Sequence, residues 1–210
     1  MNTPKKKQNK IPGPTVSRLP IYSRCLIELE ESGQKMVSSE EIARMTGIKA
    51  SQFRKDLSYF GGFGVQGYGY NAKQLLEKIS AIMNLHKKNN VILIGLGNLG
   101  SALAHYPGFV KWNFNICEVY DKNPKKVGKK VNGLKVKNIK NFPKKCRYPL
   151  AIIAVPGKDA QTVHDLLVKS GIKAVLNFSG KKLLSKNSEI IRNVDLTNEL
   201  AILSYHLAID

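Results

Sequence analysis

The chain predicts an α/β fold in two parts, a doubly wound parallel sheet preceded by a helical unit with a helix-turn-helix pattern. Three observations carry this reading. From residue 91 onward, short aliphatic runs alternate with helical stretches. The first run leads directly into a glycine turn, Gly95-Leu96-Gly97-Asn98-Leu99-Gly100. Before residue 60, two short helical patterns flank Thr46-Gly47.

Residues 1–10 (MNTPKKKQNK) read as a disordered basic tail. A first helix runs from Thr15, a candidate N-cap, to Glu31, with Val16, Leu19, Tyr22, Leu26 and Leu29 at spacings of three and four. Pro20 falls in its first turns, where a missing N–H costs least, and Gly33 closes it. Ser38 and Glu41 form a capping box that opens a short helix with Ile42, Ala43 and Met45 inward. A second short helix spans about Ala50 to Tyr59. The glycine- and aromatic-rich stretch 61–71 suits a small β-hairpin, or wing. Asn71 caps a further helix through about Leu85, with Leu75, Leu76, Ile79 and Ile82 apolar. HKKNN (86–90) is a polar hinge, so the N-terminal domain spans 11–88.

The second domain, 89–195, opens on VILIG, a run suited to a strand buried on both faces. FNICEVYD (114–121), LAIIAVP (150–156), IKAVLNF (172–178) and EIIRNVD (189–195) repeat the theme. Helices are expected over Asn98–Tyr106 and Ala160–Ser170. Residues 196–210 lie beyond the last strand and form an apolar amphipathic helix.

Composition narrows the class. The cysteines Cys25, Cys117 and Cys146 lie far apart without a C-x-x-C, which suits a reducing cytosol rather than a disulfide framework or a zinc site. No signal-peptide core or membrane-length apolar run is seen, so a soluble cytoplasmic protein is expected. The formal net charge is +19 and unevenly spread: residues 1–88 carry +8, 89–150 carry +10 and 151–210 carry +1. A basic chain invites polyanion binding. Part of the excess, however, reflects a Lys-, Asn- and Ile-rich composition, so charge alone does not establish nucleic-acid binding.

The glycines of the turn differ in what they permit. Gly95 allows the tight bend, Gly97 lets the backbone approach a pyrophosphate, and Gly100 lets helix and strand pack closely. Asn98 and Leu99 open the helix whose N–H groups meet phosphates. Asp121 ends the second strand, where a carboxylate accepts ribose hydroxyls and repels a 2′-phosphate. This points to a Rossmann site for NAD(H). Lys122, Lys125 and Lys126 soften the exclusion of NADP(H). A Rossmann-like domain without a dinucleotide, or one holding coenzyme A, remains open at this level.

An oxidoreductase needs a substrate domain and a proton donor or acceptor. Only 15 residues follow residue 195. His86, His105, His164 and His206 show no pairing with a carboxylate at a strand end and read as surface or interface residues. No metal or catalytic constellation is visible, so the cofactor is expected to be sensed rather than consumed.

In the second short helix, Phe53, Leu57 and Phe60 form a buried stripe. Ser51, Gln52, Arg54 and Lys55 then point outward, with side chains suited to base edges, and Lys49 and Ser58 flank them. At this point the sequence resembles the Rex family of bacterial redox-sensing transcriptional repressors. RLPIYSR (18–24), FRKDLSYFGGFGVQGYGY (53–70), GLGNLGSAL (95–103), HYPGF (105–109), AVPGKDAQ (154–161), GIKAVLNF (171–178) and RNVDLTNELAILSY (192–205) carry the likeness.

The resemblance implies a homodimer that binds a palindromic DNA operator and leaves it when NADH binds. It also implies a C-terminal helix exchanged between subunits, matched by residues 196–210. A nicotinamide pocket near Val155, Pro156, Asn177 and Phe178 and switch residues Arg18, Tyr106 and Asp195 follow from it too. Two departures stand out. Val65-Gln66 occupy the wing where the family carries a basic pair, and Ser179-Gly180 follow Phe178 where it has a small residue and a proline.

Overall fold

The structure, a computed structural model, describes residues 11–64, 68–185 and 188–208. The chain divides into two compact units between Lys87 and Lys88.

In the first unit, α1 (Gly13–Glu31) begins ahead of Thr15, with Pro12 at the cap and Pro14 in the first turn. Thr15 is therefore not the N-cap. It is buried, its hydroxyl turned toward another helix. Pro20 also sits deeper in the helix than expected, at its eighth position. Leu19, Tyr22, Leu26 and Leu29 form the buried stripe, while Val16 stays exposed. Gly33 (φ +79°) ends the helix, its N–H on Glu30 O and that of Gln34 on Leu29 O, both at 3.0 Å.

After β1 (Met36–Val37), Ser38 Oγ accepts the Glu41 N–H at 3.1 Å and opens α2 (Ser39–Thr46). The Glu41 carboxylate accepts from Gln34 Nε2. Ile42 is fully buried, but Met45 lies outward at 43% exposure, because a two-turn helix packs along one narrow face. Gly47 (φ +71°) makes the turn into α3 (Ala50–Ser58).

The wing differs from the expected hairpin within 61–71. Its described strand, β2 (Tyr70–Asn71), pairs antiparallel with β1, from ahead of α2. Asn71 Oδ1 then accepts the Gln74 N–H at 2.9 Å, as the cap reading expects. The resulting α4 (Ala72–Ile82) stops short of Leu85 and leaves Ile82 partly exposed. Phe53 is the centre of the core, edge-on to Tyr22 at 4.9 Å and to Tyr70 at 5.4 Å.

The second unit runs β3 (Asn89–Ile94), α5 (Asn98–Ala104), α6 (Pro107–Lys111), β4 (Phe114–Asp121), β5 (Lys130–Val131) and β6 (Leu134–Asn138). It continues with β7 (Leu150–Ile153), α7 (Gly157–Lys169), β8 (Ala174–Asn177), β9 (Ile190–Asn193) and α8 (Leu196–Leu207). Strand order in this seven-stranded sheet is β5-β6-β4-β3-β7-β8-β9, and within it only the β5–β6 pair is antiparallel among the described residues. The six parallel strands follow the Rossmann order, so the chain reverses direction across the sheet at β3 and β7. Ile92, Leu93, Ile94 and Ile153 fill the centre at 1% exposure or less. That is why their sequence is apolar without alternation.

β3 begins inside the expected hinge, at Asn89. β5 and β6, outside the aliphatic runs of the sequence, are joined by Asn132 (φ +44°) and Gly133 (φ +76°). α8 has no buried residue: Leu196, Leu200, Leu203 and Leu207 are all at least 59% exposed.

Candidate dinucleotide site and nucleic-acid interface

The glycine turn lies where β3 meets α5. Gly95 has φ +95°, and a Cβ there would sit 2.5 Å from the Ala154 carbonyl oxygen. A Cβ on Gly100 would collide with the Gly95 carbonyl. These two glycines serve packing. Around Gly97 the space is open, so its backbone stays bare toward the adjoining cavity.

That cavity encloses about 610 Å³. Ile94, Ile139, Val163 and Leu166 form apolar walls, and Asp121, Lys122 and Lys126 supply charge. Asp121 is 8% exposed; its carboxylate accepts the Leu96 N–H and the Asn123 N–H, each at 2.7 Å. Two N–H bonds occupy about half of a carboxylate's acceptor capacity, leaving lone pairs for a diol. Lys126 Nζ donates to Leu96 O at 2.7 Å and lies 3.9 Å from Asp121, while Lys122 pairs with Asp159 at 2.8 Å. The bare backbone at Gly97, the apolar walls and the acidic strand end fit an adenosine with its pyrophosphate.

Val155 and Pro156 also line the cavity, but Asn177 and Phe178 do not. Asn177 is 1% exposed, and its amide donates to Lys181 O at 2.7 Å and Asn193 Oδ1 at 2.8 Å. The Phe178 N–H meets Ile153 O at 2.8 Å. Both tie strand ends together. Asn98 and Leu99 are exposed at the start of α5.

In the N-terminal unit, Ser51, Arg54, Lys55 and Ser58 share the exposed face of α3, with Lys49 at its cap. Gln52 departs from that face: its amide donates inward to Asp56 Oδ1 at 2.8 Å, because Asp56 is buried and needs donors. Gln66 and the tail 1–10 lie outside the described residues.

Sequence reasoning missed Asp56 altogether. It is fully buried and accepts from Thr15 at 3.0 Å, Tyr22 at 2.8 Å, Gln52, and the Nε and Nη2 donors along one edge of the Arg18 guanidinium at 2.6 and 2.8 Å. Burial alone would raise its pKa. The bonds from Arg18, Tyr22, Gln52 and Thr15 outweigh that and hold the carboxyl at about 2. Burial, followed by the bond to Asp56, pushes the Tyr22 phenol up.

Arg18, one of the three switch residues that the resemblance implies, is bonded to Asp56. Asp195, another, caps α8, accepting the Thr197 N–H at 3.0 Å. Tyr106 is 54% exposed with its ring edge-on to Phe109 at 5.1 Å. His164 also departs from expectation. It is 1% exposed, with Nε2 3.4 Å from the Glu189 carboxylate just ahead of β9 and Nδ1 3.4 Å from Asp165. It is a core histidine, not a surface one.

A helix-turn-helix unit joined to a dinucleotide-type sheet defines a DNA-binding regulator with a built-in ligand sensor. Residues 10–58 match the family described as "Putative DNA-binding protein N-terminus", and residues 86–180 match the "CoA binding domain". The chain belongs to the Rex family of redox-sensing transcriptional repressors. It is 44% identical to the redox-sensing transcriptional repressor Rex of Thermosipho africanus, over 95% of this chain and 97% of the relative. With that of Syntrophomonas wolfei it is 43% identical, over 96% and 97%. Among solved structures, RSP in complex with β-NAD⁺ and operator DNA is similar at TM-score 0.88 and 39% identity, covering 94% of this chain and 92% of that one. RSP in complex with β-NADH gives 0.85 and 36%, covering 95% of each.

Proposed function

We propose that this repressor binds NAD(H) through Gly95, Gly97, Asn98, Leu99, Gly100, Asp121 and Lys122, and reads a palindromic operator as a homodimer through Lys49, Ser51, Arg54, Lys55 and Ser58. NADH releases the operator, and the protein works in the cytoplasm. One observation carries the reading: the glycine turn and Asp121 converge on a cavity at the switch point of the sheet, in a chain whose first 87 residues hold a groove-reading helix. The NAD⁺ and NADH carried by the solved RSP complexes support this cofactor over the coenzyme A of the family description.

The residues have separable roles. The bare Gly97 backbone and the first N–H groups of α5 receive the pyrophosphate, and Asp121 accepts the adenosine ribose hydroxyls. Val155 and Pro156 wall the nicotinamide end; Asn177 and Phe178 hold the neighbouring strand ends in place. The bound dinucleotide supplies a ring that is neutral and puckered when reduced, cationic and planar when oxidised. This difference in charge and shape lets NADH bind the closed dimer more tightly than the operator-competent one, and that differential affinity for two conformations is what moves the equilibrium. α8, exposed along its length, is the element exchanged between subunits, and Arg18, Tyr106 and Asp195 change partners as the dimer closes.

Calorimetric titration of NADH into wild type and Asp121→Ala tests the site. Loss of the diol acceptor is expected to weaken binding about tenfold or more, the equivalent of 1.4 kcal/mol. Equal affinities would remove Asp121 from the site.

A further inference from the structure

Arg54, on the outward face of α3, is not free to sweep the groove. Its Nη1 donates to Ser39 Oγ at 2.5 Å and to Glu40 Oε1 at 2.9 Å, both from the first turn of α2. Ser39 Oγ in turn donates to the other Glu40 oxygen at 3.1 Å, closing a three-residue ring. Ser39 is 6% exposed and anchored in the unit, so the ring stands on fixed ground.

We propose that Glu40, with Ser39, is a specificity-determining positioning residue that holds Arg54 as a base reader rather than a phosphate contact. This rests on α3 being the groove-reading helix.

Stability does not explain the arrangement. The Arg54 and Glu40 side chains are 51% and 64% exposed, and ion pairs of that kind contribute little. Electrostatics opposes it as well, since an ionised carboxylate beside a DNA-facing helix repels phosphates. Glu40 does stay ionised: a backbone hydrogen bond first, then Arg54 and Ser39, lower its pKa. The geometry accounts for what charge and stability do not. Both bonds go through Nη1, which leaves the Nε–Nη2 edge as a two-donor fork matching guanine O6 and N7. A long, flexible side chain is thereby ordered before binding, so the entropy of fixing it is not charged to the specific complex. The nearby carboxylate also penalises a slide of the guanidinium onto the backbone.

The test compares wild type, Glu40→Ala and Glu40→Gln, with binding to a palindromic operator and to unrelated duplex DNA measured by fluorescence anisotropy at fixed salt. Glu40→Ala is expected to weaken operator binding about tenfold while leaving binding to unrelated DNA unchanged or tighter, the loss concentrated at one guanine position. Glu40→Gln keeps an acceptor for Arg54 and is expected to restore most of the discrimination. NADH affinity and the unfolding midpoint should match wild type in both. Parallel changes in operator and unrelated-DNA binding, or failure of Gln to restore discrimination, would overturn the proposal. A wild-type protein indifferent to the operator would instead strike the function itself.

Discussion

Asp56 is the residue on which the N-terminal unit turns. It accepts five hydrogen bonds with no solvent around it, four from α1 and one from Gln52 of α3 itself, so it ties α3 to α1 beside the buried Phe53 and Leu57. Asp56→Asn leaves the Arg18 charge half-buried without its partner. It is expected to cost about 3 kcal/mol, read as a lower urea midpoint for the N-terminal unit in the full chain. An unmoved midpoint would show that Arg18 finds solvent freely. The pH dependence follows from the direction of the shift. Folding holds Asp56 at about 2, below its ordinary 3.8, so its stabilisation is complete above about pH 4 and fades as pH falls toward 2. Thermal melts across pH 5 to 2 should show a slope at the acid end that Asp56→Asn lacks. This residue was hidden in the sequence because a charged position inside a short helix reads as solvated. The clue lay on α1: Thr15, Arg18 and Tyr22 share one face with its apolar stripe, and polar groups on a buried face need a buried partner. Gln52 was misassigned for the same reason.

At the scale of elements, the glycine turn and α8 carry opposite expectations. Gly95→Ala forces a side chain into the Ala154 carbonyl and is expected to cost the second unit well over 1 kcal/mol. Gly97→Ala meets open space. It should therefore melt like wild type, within about 0.5 kcal/mol, while losing NADH affinity at least tenfold because a methyl now blocks the phosphates. If Gly97→Ala binds NADH normally, the pyrophosphate lies elsewhere. For α8, the double substitution Leu200→Glu and Leu203→Glu is expected to convert a dimer to monomers in sedimentation velocity without unfolding either unit. A dimer that survives it would be held by another surface. Five of the six parallel strands are legible as short aliphatic runs, the central ones because strands buried on both faces are continuously apolar. β5 and β6 are not, since lysines interrupt their short apolar positions over 129–137 and leave no continuous run. Asn132-Gly133, a two-residue turn between Val131 and Leu134, is the signal of a hairpin. The strand pair β1–β2 was missed because two-residue strands leave no periodicity to read.

For the molecule as a whole, a sensor and a DNA reader in one chain imply linkage: a ligand that weakens operator binding must itself bind less tightly to the operator-bound protein, by the same factor. A dimeric helix-turn-helix protein reads its operator only when its two helices match the spacing of successive major grooves, about 34 Å apart. In the proposed homodimer, cofactor-driven repositioning of the subunits would act on both half-sites at once. The most direct test is a titration of operator binding against free cofactor, run with NADH and with NAD⁺ on the same preparation. NADH should weaken operator binding at least tenfold, or about 1.4 kcal/mol, while NAD⁺ leaves it intact. Equal responses to the two forms would contradict the account.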